Sequence, residues 1–137
     1  MDTHILIWIL DGDPQLSDSR RRILSGQSNE IHISVVSFWE IAIKTSRGKL
    51  SVSKPLIEII DEVAESSSML IGIDPIHTLA VSTLPFHHRD PFDRMLIAQA
   101  QVEFLDVMTN EQSVRRLWNK LDLNDRRRKH KISDRAK

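Results

Sequence analysis

The chain has no cysteine, which excludes a disulfide framework, a thiolate metal site and a thiol nucleophile at once. It has no apolar run approaching the roughly 18–20 residues that span a bilayer, and no signal-peptide pattern opens it. A cytoplasmic protein without membrane contact is the expectation. There is no internal repeat or low-complexity tract, and no serine or histidine constellation suited to nucleophilic catalysis. His32 has no second histidine at ligand spacing. What remains is 137 residues, 40% hydrophobic and 28% charged, enough for one domain with one core.

The formal net charge of zero conceals an asymmetry. From Val114 to Lys137 there are ten basic and three acidic residues, which leaves nine basic against 16 acidic in the body of the chain. An acidic body suits a carboxylate cluster relieved by a bound cation. The basic end, densest at Arg126–Lys131, has little apolar content and is expected to be a disordered tail over 124–137, available for non-specific nucleic-acid contact.

Periodicity alternates between strand and helix. Thr3 to Leu10 is an apolar segment ended by the turn cluster Asp11-Gly12-Asp13-Pro14. Asp18–Ser25 reads as a polar helix between Ser17 and Gly26, and 30–35 alternates as a strand. Ser37 is placed to open the next helix, with Glu40 at capping-box spacing and Gly48 as its stop. An amphipathic helix over 55–65, a short buried strand over 69–73 and a helix over 76–84 follow. A helix over 90–104, a strand over 105–109 and a helix from about 112 complete an α/β pattern with a parallel sheet.

The most informative stretch is His87-His88-Arg89-Asp90-Pro91-Phe92-Asp93-Arg94. Pro91 suits a first helical position, which makes Asp90 the N-cap and Asp93 the third helical residue on the same face. The helix beyond is nearly apolar, so Asp93 either completes a cap or points into a cleft and holds a cation. This segment resembles the DPFDR-containing branch of the PIN-domain nucleases, the VapC-type toxins of toxin–antitoxin pairs. Met1-Asp2-Thr3-His4 with its hydrophobic run resembles the family's opening. Ser37–Lys44 with Gly48-Lys49-Leu50 resembles the segment carrying the second acid, and Leu84-Pro85 also matches. Val107–Glu111 stands where the family has a strand ending in Thr-x-Asp.

The resemblance implies a PIN-like three-layer α/β/α fold over residues 1–123, its first strand truncated in this chain because Asp2 follows Met1 directly. It implies Asp2 and Asp93 as metal ligands, with Glu40 and Glu111 completing the catalytic acids. Asn110 is the alternative to Glu111, which is one methylene longer than the family's Asp. Thr109, Lys44, Arg89 and Arg94 are the candidate substrate contacts. All-oxygen ligands favour Mg²⁺ or Mn²⁺ and phosphodiester hydrolysis. The implied function is a metal-dependent endoribonuclease, partnered by RNA, a small antitoxin and a second copy of itself. The alternative is a catalytically weakened PIN-like domain that binds RNA or protein.

Overall fold

A computed structural model describes residues 1–85, 90–119 and 121. In chain order these form α1 (Thr3–Asp11), α2 (Asp18–Ser25), β1 (His32–Ser34), α3 (Val35–Ser46), α4 (Leu56–Glu65), β2 (Met69–Ile71), α5 (Pro75–Ser82) and α6 (Pro91–Val102). Residues 112–119 are also helical. The α/β expectation holds. The strands pair in parallel, His32 opposite Met69 and Ser34 opposite Ile71. The Arg89 and basic-tail expectations lie outside the described residues.

Local signals set most helix ends. Asp90 accepts from the Phe92 and Asp93 N–H groups at 2.9 and 3.1 Å, and Pro91 enters with no N–H to satisfy. Ser17 caps α2, accepting from the Arg20 amide. The apolar segment after Asp2 is a helix that ends at Gly12, whose φ of 63° is left-handed and suits glycine.

Three expectations are corrected. Ser34, not Ser37, caps α3, accepting from Val36 N–H at 3.1 Å. Ser37 lies inside the helix, its buried hydroxyl without a partner among the described residues. Glu40 is therefore a mid-helix residue and cannot cap. β2 is not buried: Met69 and Leu70 are more than half exposed. Residues 105–109 form no strand, because a strand exists only through a neighbour and this segment has no ladder beside it.

One apolar cluster joins α1, β1, α3 and α4 through Leu6, Ile33, Phe38, Ile41 and Ile59. A second joins α6 to the 112–119 helix through Ile97, Val114 and Leu117. Burying each aliphatic side chain contributes roughly 1.5–3 kcal/mol. A third cluster, Val36 with Phe92 and Leu96, packs α3 against α6, so α1, α3 and α6 are neighbours and their acid-bearing turns lie on one side of the core. Between β1 and residues 105–109 lies a slot of about 620 Å³. At its end Met1 donates to the His32 carbonyl at 3.1 Å and Asp2 N–H to Met108 at 2.9 Å. These two residues bond to both rails, as a central strand does.

Candidate functional site

Asp2 is the N-cap of α1, with extended backbone and 4% exposure. Its Oδ1 accepts from Ile5 N–H at 3.0 Å and its Oδ2 from the Thr109 hydroxyl. Thr109 is itself 4% exposed and accepts from Glu111 N–H at 3.0 Å. A carboxylate has about four lone-pair sites, so Asp2 is oriented by these bonds without being used up. The α-ammonium of Met1 lies beside it. Burial pushes that group below its ordinary pKa, with the Asp2 carboxylate opposing the shift.

Glu40 is 2% exposed on α3. Its Oε1 accepts from the Thr3 hydroxyl at 2.6 Å, and its Oε2 from the ammonium of Lys44 one turn on. Lys44 also lies 3.5 Å from Asp90 Oδ2 and 5.6 Å from the centre of the Phe92 ring. Partial burial works against its charge, yet the hydrogen bonds and charges of Glu40 and Asp90 raise its pKa above the ordinary value. Buried acids repel unless a cation relieves them, and Lys44 is the cation the fold itself supplies.

Asp93 is 7% exposed in the first turn of α6, where the unpaired amides of a helix N-terminus favour negative charge. Hydrogen bonds thus run from Thr109 to Asp2 and from Thr3 to Glu40, then through Lys44 to Asp90, three residues before Asp93. Glu111 stands half-buried at the start of the last described helix.

The expected substrate contacts are placed differently from one another. Lys44 is inside the acid group. Thr109 holds Asp2. Arg94 is 8% exposed and donates to the Pro85, Val81 and Leu84 carbonyls at 2.8, 3.2 and 3.1 Å, closing the end of α5. Asn110 Oδ1 accepts from the Arg20 guanidinium at 3.0 Å. Thr3, Arg20 and Arg115 also take part, each bonded to a site residue. Thr3 adjoins Asp2, a usable signal, but Arg20 meets Asn110 across 90 positions with no pattern announcing it.

Among the described residues, one group of His, Asp or Glu brings its ligand atoms within 4.8 Å of each other: Asp74, His77 and Glu103. Asp2, Glu40 and Asp93 are not that close. The His77 group nevertheless has poor donors. Its Nδ1 accepts from Asp74 N–H at 2.9 Å and its Nε2 meets Glu103 at 2.9 Å, so both ring nitrogens of the buried His77 are already engaged, between two exposed acids at the ends of α5 and α6. The Asp2, Glu40 and Asp93 set is all oxygen and buried, with Asp2 oriented by the Thr109 hydroxyl and Glu40 by the Thr3 hydroxyl and the Lys44 ammonium; its oxygen donors suit a hard divalent cation.

Among the described residues no helix is long and apolar enough to cross a membrane. No curated protein and no solved structure matches the chain. PIN domains are generally metal-dependent nucleases that act on RNA. The PIN domain family model matches residues 1–119, and the chain belongs to that family.

Proposed function

We propose that the chain is a Mg²⁺- or Mn²⁺-dependent endoribonuclease and the toxin of a toxin–antitoxin pair. The observation that carries the enzymatic part is the bonded path linking Asp2, Glu40 and the mouth of α6, three remote segments whose acids are buried. Gathering buried carboxylates from three segments costs desolvation and mutual repulsion, which a bound cation would offset. The toxin part rests on the resemblance of 87–94 and the opening residues to the VapC branch.

In this reading Asp2 and Asp93 would hold the cation, with Glu111 reaching it through water. When bound, the ion polarises phosphate and lowers the pKa of an attacking water. Glu40, its two oxygens steered by Thr3 and Lys44, orients that water and accepts its proton. The water oxygen bonds to phosphorus as the bond to the 3′ oxygen breaks. That oxygen takes a proton from solvent and leaves as a 3′-hydroxyl. Lys44 and Arg89 are the proposed phosphate contacts, while Arg94 serves the fold. A small antitoxin and a second copy are the protein partners of this reading. The exposed stripe of Val35, Trp39 and Ile43 on α3 is apolar surface available to them.

The second reading, a weakened PIN-like binding module, is favoured by Lys44, whose ammonium already neutralises Glu40 inside the acid group. Cleavage of single-stranded RNA with and without EDTA separates the two. We expect EDTA and Asp93→Asn each to abolish cleavage, with Asp93→Asn leaving the melting temperature equal or higher. Activity that survives either would sink the metal-nuclease reading.

A further inference from the structure

Two arginines converge beside the acids. Arg20 on α2 and Arg115 on the last described helix both donate to the carbonyl oxygen of Thr109, their Nη2 atoms 3.0 and 3.2 Å from it. Arg20 adds its bond to Asn110. Neither guanidinium takes part in an ion pair among the described residues. Two like charges are thus drawn around one neutral acceptor, where they repel. Each guanidinium has five donors in a planar fork, and most of Arg115's and part of Arg20's remain for a ligand. Arg115 is exposed and Arg20 half-buried. Thr109 links the pair to the acid group, since its carbonyl receives the arginines and its hydroxyl holds Asp2.

A packing role alone would need only one of these arginines on the Thr109 turn. The second brings a like charge that an anion held between the two guanidiniums would relieve. Guanidinium forks match phosphate oxygens in geometry as well as charge. We propose that Arg20 and Arg115 form a phosphate subsite, holding a backbone phosphate of the RNA strand next to the one that is cleaved. This deepens the nuclease reading and rests on it.

The test is binding of a labelled single-stranded oligoribonucleotide to the full chain in EDTA, where no metal-dependent cleavage intervenes. It is read at several salt concentrations for wild type, Arg20→Ala, Arg115→Ala and the double variant. Each phosphate contact on a single strand contributes about 0.7 to the slope of log affinity against log salt. The double variant should lose about that much slope and about tenfold or more in affinity. Under cleavage conditions its KM should rise while kcat stays within about twofold, and Mn²⁺ affinity should not change. The variant carrying Arg20→Lys and Arg115→Lys should keep the slope but bind more weakly, because lysine cannot form the fork. Unchanged slope and affinity in the double variant would overturn the subsite. So would a fall in kcat and Mn²⁺ affinity with KM unchanged, which would mean that the pair acts through Thr109 on Asp2. A wild type that binds RNA without cleaving it would count against the nuclease reading alone, since the binding comparison still decides the subsite.

Discussion

Thr3 donates its hydroxyl to Glu40 across 37 positions of sequence, at 2.6 Å and with both side chains buried. The bond ties the first turn of α1 to the middle of α3 and leaves Glu40 with one orientation. Thr3→Val keeps the shape and removes the donor. A buried acceptor left short of a bond costs about 1–3 kcal/mol, so urea denaturation should show a loss of that order. RNA cleavage should fall as well, because Glu40 is no longer steered. Full activity in a destabilised Thr3→Val protein would show that Glu40's orientation is irrelevant to the chemistry.

Arg94 looks from sequence like a phosphate ligand, yet it closes the end of α5 on three carbonyls. Hydrogen bonds to charged groups are worth about 1.5–3 kcal/mol, so Arg94→Ala should be among the most damaging single changes outside the apolar core. The protein that still folds should bind RNA with the wild-type salt slope. A reduced slope with an unchanged melting curve would place Arg94 on the substrate instead.

Asp90→Asn should be nearly silent in a melting experiment, since asparagine caps as well as aspartate does. Asp90→Ala should cost about 1 kcal/mol. An equal loss in both variants would assign the effect to the ion pair with Lys44 at 3.5 Å rather than to the cap.

Five apolar residues placed ahead of Met1 should raise the melting temperature by pairing with both rails of the slot, and should tighten Mn²⁺ binding by replacing the α-ammonium with a peptide bond. A Gly/Ser extension of equal length is the control. The unextended chain should also carry a pH signature. Its amine has a pKa depressed from 8.0 by burial, so the folded state disfavours the protonated form. The penalty is present below the folded pKa and vanishes as pH rises past 8.0. Melting temperatures should therefore rise from neutral pH to just above 8.0 in the 137-residue chain, relative to the apolar extension. Matching pH profiles and midpoints in both proteins would refute the slot's role.

Much of the helix layout was legible because caps are local. Ser17, Asp90 with Pro91, and Gly48 each announce an end within a few positions. The entry to α3 was misplaced because Ser34 and Ser37 bracket two valines, and the β-branched pair reads as the end of a strand until Ser34 is seen capping. Segment 105–109 looked like a strand by composition, but a strand depends on a partner elsewhere in the chain. The acids Asp2, Glu40 and Asp93 were found by resemblance. Their approach depends on the packing of α1, α3 and α6, which no local pattern encodes. Arg20 and Arg115 carried no signal, since they matter only where the turn at Thr109 meets them.

Asp2 meets Thr109 across 107 positions. On a ribosome, chain emerges from its N-terminus at about 5–20 residues per second, so Asp2 is exposed long before its partner is synthesised. Contacts of such separation form only after the intervening chain is ordered. The acid group is consequently one of the last features a nascent chain can acquire. A fragment stalled between Asp93 and Thr109 carries Asp2, Glu40 and Asp93 but leaves Asp2 unanchored at its Oδ2, so the acid group stays incomplete until Thr109 has been made.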